Sequence, residues 1–371
     1  ITIDSYDGIA RIGPFPYNVG WRDILIDLDS GENTQARVYF PSLTTGENEP
    51  IVSPCQNQSY PAVVYTHGLR NLDYDLCDWN DPSLKQDKTH DYLQAEGLLK
   101  SLAASGIIAI SFNWHGHFKT GHYNLDLSPL VVKAVKRLGE LFGSGVNLQI
   151  VGLAGHSTGG AAVLYAADLF RNMSPPSAVI NAVGLISPAA IFHNEQLLEP
   201  MLVIHGTREH SCMVGTSPLN IYCKAKGSKH LVVVEGANHF GYTDGICLDP
   251  DQQRISECLS NDPWHLLPED DGYDNGSEVG GLTGQAAHKL QQRTARNYLH
   301  AFFSYYLQGN TSTAQYLIQK EGESCGHPED GQQCDLQRLD VYMWWPEISD
   351  NVCGRAQVEI STLINNNPTV L

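Results

Sequence analysis

Basic residues are scarce in this chain: 23 Lys and Arg stand against 41 Asp and Glu, a formal net charge of −18. Phosphate backbones and anionic membrane surfaces are held by clustered Lys and Arg, so nucleic acid is excluded as a partner. Charge of either sign is also sparse, at 17% of residues, against about 25% in an average soluble domain. The hydrophobic fraction is 42%, which excludes a disordered acidic tail and permits a buried core. No run approaches the ~18 apolar residues of a membrane-spanning helix, so no integral membrane contact is expected. Internal repeats are absent. No cysteines form C-x-x-C or a Cys/His pattern at zinc spacing. The acidic stretch Asp249 to Glu278 lacks EF-hand spacing and reads as solvated Asp. His115, His117 and His122 have no carboxylate at ligand spacing and read as a polar loop. Neither a metal nor a cofactor is expected.

Nine cysteines are present, and three neighbouring pairs enclose short loop-like segments: Cys212 and Cys223, Cys247 and Cys258, Cys325 and Cys334. Local disulfides fit those intervals and their Asp, Gly, Ser and Asn flanks, with Cys55 and Cys77 as a further pair and Cys353 left over. Disulfides persist in oxidising compartments, so a secreted, extracellular or periplasmic location is expected. The chain begins at Ile1 without a charged and apolar leader and reads as a mature form. Sequons at Asn57, Asn172, Asn275 and Asn310 are glycosylation acceptors if the host is a eukaryotic secretory one.

Short apolar runs rich in β-branched residues alternate with helical patterns. Arg22 to Leu28 and Gln35 to Phe40, joined at Gly31, read as a hairpin. Six further runs follow: Pro61 to Thr66, Ile107 to Phe112, Leu148 to Ala154, Val179 to Ile186, Pro200 to His205 and His230 to Glu235. These lack polar alternation, as parallel strands covered on both faces do. Helices are expected over Asp91 to Ala104, from Ser128-Pro129 onward, after Ser157, and from Thr283 to Gln308 with Gly309 beyond its end. The pattern predicts an α/β fold, a mostly parallel eight-stranded sheet with helices on both faces. One domain is expected over residues 1–310, with a Cys-containing extension, 311–371, packed on it. Two stretches break the rhythm, 70–90 and 240–281. Long irregular connections of this kind are usually functional covers, and these two carry much of the negative charge.

The most informative segment is Leu148 to Ala166, which reads strand, tight turn, helix, with Gly155-His156-Ser157-Thr158-Gly159 matching G-x-S-x-G. Such a turn strains the serine and exposes its hydroxyl at the strand's C-terminal edge, and Gly155, Gly159, Gly160, Ala161 and Ala162 supply the small residues that close strand–helix passage needs. A serine hydroxyl needs a base that is itself oriented by an acid, in the chain order Ser, acid, His for this turn type. Among the 15 histidines, His239 follows the last apolar run after the Gly236-Ala237 turn. His67, His156 and His205 sit at strand ends or turns and read as satisfying local hydrogen bonds. The acid is expected after the preceding run, where Glu209 follows Gly206, with Glu195 as the substitute. The N–H groups of Thr158 and Leu69 are the expected oxyanion donors. Trp79, Trp114, Phe240 and Tyr242 fall on loops at the same edge, as pocket walls or as loop anchors.

The pieces Pro61 to Leu69 (P-A-V-V-Y-T-H-G-L), G-H-S-T-G-G and G-A-N-H-F make the stretch from about Arg22 to Tyr306 resemble the α/β-hydrolase superfamily. Within it the chain is similar to the secreted esterase branch that includes platelet-activating-factor acetylhydrolase-like, dienelactone-hydrolase-like and polyester-hydrolase (cutinase-like) families. The resemblance implies cofactor-free hydrolysis of a neutral carboxylic ester, small molecule, lipid or polymer, through an acyl-enzyme on Ser157. Serine at the elbow, in place of Asp or Cys, argues against dehalogenase, epoxide-hydrolase and dienelactone chemistry. A peptidase or amidase using the same triad and a noncatalytic binding protein of the same fold are the alternatives.

Overall fold

A computed structural model describes residues 15–28, 30–53, 59–68, 88–114, 123–189, 197–206, 217–234, 236–239, 241–243, 278–279, 282–317 and 341–344. Strands β1 (Asn18–Asp27) and β2 (Asn33–Ser42) pair antiparallel from Asn18↔Ser42 to Asp27↔Asn33. Gly31 turns between them at φ 82°, a left-handed value that glycine adopts without steric cost. The two-residue β3 (Gly46–Glu47) runs parallel to β1 at the sheet's edge.

Six parallel strands form the body of the sheet: β4 (Tyr60–Thr66), β5 (Ile108–Phe112), β6 (Val146–His156), β7 (Ile180–Ile186), β8 (Met201–Gly206) and β9 (Lys229–Val234). Every residue of β4 and β5 is buried, which explains their unbroken apolar runs. A last strand, β12 (Val341–Trp344), pairs antiparallel with β9. A small hairpin, β10 (Glu278–Val279) with β11 (Leu282–Thr283), stands apart. The main sheet is therefore mixed and ten-stranded, in the order β12-β9-β8-β7-β6-β4-β5-β2-β1-β3. The expected eight strands are all present. The two additions are edge strands: β3 is too short for a periodic signal, and β12 is the apolar run Val341 to Trp344 inside the Cys-, Gly- and Asp-rich tail that was given no assignment.

Alternate residues of the parallel strands enter two separate cores. On one face, Val64, Ile110, Leu153, Leu185 and Val203 meet α2 (Tyr123–Phe142), α3 (Thr158–Asn172) and α4 (Ser217–Lys224). On the other, Val63, Ala109, Ala154, Ile186 and Ile204 meet α1 (Glu96–Ala104) and α5 (Gly284–Gln308). Helix α2 begins five residues before the expected Ser128 and carries Pro129 inside it. A proline has no N–H to give its own turn, yet Leu127, Leu130, Val131, Ala134, Val135 and Leu138 are buried against the sheet. That apolar stripe outweighs the lost bond. No helix among the described residues is long and apolar enough to cross a membrane.

Two histidines sit in the core away from the strands' C-terminal ends. His230, at the start of β9, is hydrogen-bonded through Nε2 to Tyr306 Oη at 3.0 Å and packs edge-on against Phe302. His300 on α5 packs against Phe15. Burial lowers each to about 4, with Arg296 adding repulsion at His300. Both are neutral when folded and bind a proton at their ordinary 6.5 once unfolded. The stability they contribute is present above pH 6.5 and lost as the pH falls toward 4, by up to about 3 kcal/mol for each. Urea unfolding followed from pH 7 to 4 is expected to show a falling midpoint, and His230→Phe should reduce that slope by one proton's share.

Candidate active site

All six parallel strands point their C-terminal ends to one edge. From β4 the chain moves outward to β5 and then crosses to the other side of β4 to form β6. An open α/β sheet opens a crevice at such a reversal, beyond the strands' carboxyl ends. Here the reversal brings Gly68, which follows β4, directly against His156 and Ser157 at the end of β6: a Cβ on Gly68 would meet His156 Nδ1 at 2.7 Å and Ser157 Cβ at 2.9 Å.

Ser157 occupies φ 53°, ψ −123°, a region that side chains other than glycine's avoid. Its surroundings over-determine that conformation. The Ser157 N–H donates to the Ile186 carbonyl at 2.9 Å, and the Ser157 carbonyl accepts from Ala161 N at 3.2 Å and Ala189 N at 3.0 Å. Two glycines make the turn possible by close approach. A Cβ on Gly155 would collide with the Gly159 backbone, and a Cβ on Gly159 would overlap the carbonyl oxygens of Thr66 and His67. The first turn of α3 thus presses directly on the end of β4. The Thr158 N–H belongs to the first helical turn, where backbone donors lack intrahelical partners and the helix dipole favours negative charge.

His239 is brought to Ser157 from 82 residues further along the chain, with Nε2 at 2.9 Å from Oγ. In the tautomer with its proton on Nδ1, the hydroxyl donates to this nitrogen. The loop that carries it leaves β9 through Gly236, at φ 72°, and the Ala237 N–H donates back to the Val234 carbonyl at 3.3 Å. A Cβ on Gly206, the last residue of β8, would strike the Ala237 backbone, so the end of β8 abuts the turn after β9. His156 was expected to satisfy a local hydrogen bond. Its Nε2 instead reaches the His239 carbonyl at 2.8 Å, and the two rings lie 4.8 Å apart.

The turn after β4 is braced by an aromatic stack. The Trp114 ring lies 5.2 Å from that of His67 at an interplanar angle of 13°, and its Nε1–H donates to the His67 carbonyl at 2.9 Å. His67 Nδ1 bonds locally to the Gly68 carbonyl at 2.8 Å. Trp114 is 2% exposed and Tyr242 is 5% exposed, one in each core. Both anchor the loops they belong to.

Ser157, Thr158 and His239 come together, while Glu209, Glu195, Leu69, Trp79 and Phe240 lie outside the described residues. So do His115, His117, His122, Asn57, Asn275 and every cysteine except Cys223, which lies on α4 without a described side chain. Among the described residues no three His, Cys, Asp or Glu side chains gather as metal ligands. Asn238 and Gln291, which hold the His239 loop from beneath, were not foreseen. A glutamine within a helical pattern carries no local signal of a partner 53 residues away. The chain matches no protein-family model, and a search of curated proteins finds no match.

The strain at Ser157 has a measurable consequence. Ser157→Gly should abolish any chemistry of the hydroxyl while raising stability by about 1–3 kcal/mol, because glycine enters this backbone region freely. Gly159→Ala should do the opposite to the fold, lowering the thermal midpoint by several degrees through backbone overlap. Differential scanning fluorimetry of the two variants checks both signs.

Proposed function

We propose that this protein is a serine hydrolase of α/β-hydrolase type that cleaves a neutral carboxylic ester through an acyl-enzyme. The observation that carries the reading is the 2.9 Å approach of His239 Nε2 to a Ser157 Oγ held on a strained strand–helix turn. A hydroxyl beside an imidazole at the open edge of a parallel sheet is an activated nucleophile. The strand order, with an antiparallel pair leading into parallel strands that reverse at β4, supports the same reading. Glu209 is the acid of the triad in this proposal, supported by its place three residues after Gly206, the end of β8, which touches Ala237 of the His239 loop.

In this reading, Ser157 Oγ forms a bond to the ester carbonyl carbon as its proton passes to His239 Nε2. The carbonyl π electrons move to oxygen, and that oxyanion is held by the Thr158 and Leu69 N–H groups. Collapse breaks the bond to the alcohol oxygen, which takes the proton from His239. Water then gives its proton to His239 and attacks the acyl carbon. The second tetrahedral intermediate releases the acid and returns the proton to Ser157. The negative charge of the acidic stretches 70–90 and 240–281 disfavours anionic substrates. Export goes with this proposal, supported by cysteine spacing, with pairs Cys55–Cys77, Cys212–Cys223, Cys247–Cys258 and Cys325–Cys334. The Asn172 and Asn310 side chains, both exposed, are the described sequon positions.

A fluorophosphonate probe should label the folded protein at Ser157. A panel of p-nitrophenyl esters of rising chain length should be hydrolysed, and Ser157→Ala and His239→Ala should each lower kcat by at least about 10⁴-fold. Folded wild-type protein that takes no label would instead point to the noncatalytic binding reading, and cleavage of amides with no ester turnover would make it a peptidase or amidase.

A further inference from the structure

We infer that Gln291 and His156 are positioning residues for the general base, each holding one of the two carbonyl groups that flank the His239 Cα. The inference rests on the serine-hydrolase reading of Ser157 and His239. On the upstream side, the Gln291 carboxamide takes both main-chain groups of Asn238. The Asn238 N–H donates to Gln291 Oε1 at 3.3 Å, and Gln291 Nε2 donates to the Asn238 carbonyl. On the downstream side, His156 Nε2–H donates to the His239 carbonyl at 2.8 Å. The Asn238 side chain closes the loop by accepting from Gly241 N at 2.8 Å, and Gln292 Nε2 donates to the Thr243 carbonyl at 2.6 Å.

The residue types follow from the chemistry. Gln291 and Asn238 are each 0% exposed, and a buried carboxamide is costly unless its donor and its acceptor both find partners. An amide at position 291 offers both from one planar group to one residue's backbone. Glutamate would bring two acceptors and a buried charge to the Asn238 carbonyl, and leucine would leave both Asn238 groups unpaired. The two holds come from different bodies. Gln291 sits on α5, whose Leu290, Ala295, Leu299, Phe302 and Phe303 are buried in the second core. His156 directly precedes Ser157, so the nucleophile's chain neighbour grips the base's own carbonyl. The imidazole is thereby placed relative to Oγ by two separate elements, β6 and α5.

Kinetics of the full chain test this on p-nitrophenyl esters, together with the rate of fluorophosphonate labelling. Gln291→Leu should lower kcat and the labelling rate together by about 10- to 100-fold while KM stays within about threefold, since a base displaced by a fraction of an ångström loses proton transfer more than binding. The decisive measurement repeats the substitution on His239→Ala. A residue that acts by placing His239 has nothing left to place, so the residual rate should not fall further. Equal fractional losses with and without His239 would show a merely structural role and overturn the inference, as would wild-type kcat in the variant. His156→Phe keeps an aromatic ring, removes the donor, and is held to the same criteria at the other carbonyl, including where Gln291→Leu does not fold. Wild-type protein that neither labels nor turns over esters would overturn the hydrolase reading instead, a result distinct from either of these.

Discussion

The site depends on the contact of the first turn of α3 with the end of β4, where no atom beyond a glycine Cα fits. Gly159 lies against the carbonyls of Thr66 and His67, and Gly155 against the backbone of Gly159 and Gly160. That contact turns the chain so tightly after β6 that Ser157 takes a positive φ. It also sets the start of α3 beside the turn that follows β4. A side-chain carbon at either glycine would push the helix outward and move Ser157 away from the turn that follows β4.

Around this contact the molecule is built to resist relaxation. The two cores clamp the sheet from both sides, and the backbone groups of Ser157 are all bonded, to Ile186, Ala161 and Ala189. Trp114 stacks under His67 and bonds its carbonyl, so the β4 turn is supported from β5 as well. The neighbouring histidine is held by other means. His239 lies beyond its strand, and its position comes from side-chain hydrogen bonds supplied by β6 and α5. Such bonds are directional and buried, which makes them effective at fixing an angle but gives them no trace in local sequence.

The strands were legible because a parallel strand covered on both faces must be apolar at every position. The runs at Pro61 to Thr66 and Ile107 to Phe112 correspond within a residue to β4 and β5. The start of α2 was misread because Ser128-Pro129 is a good local start signal, whereas the packing of Leu127, Leu130 and Val131 on the sheet extends the helix past it. Edge strand β3, two residues long, carries no periodic signal, whereas β12 falls in the apolar run Val341 to Trp345, a local strand signal left unassigned among the Cys-, Gly- and Asp-rich stretches around it.

Ser157 and His239 were readable for the same reason as the strands: glycine-rich turns directly after apolar runs are local events with a strict steric cause. Trp114 and Tyr242 were placed correctly at the strand ends, but whether they stand open or bury themselves depends on what packs over them, and both are buried. Composition and periodicity alone dictate an acidic α/β protein with a strained serine at a strand's end and a histidine after the last parallel strand. Only the folded chain decides that those two groups meet at 2.9 Å, and that His156 and Gln291 hold the histidine there. Turn chemistry is settled among neighbours a few residues apart, whereas the distance between two turns is set by every strand and helix that separates them.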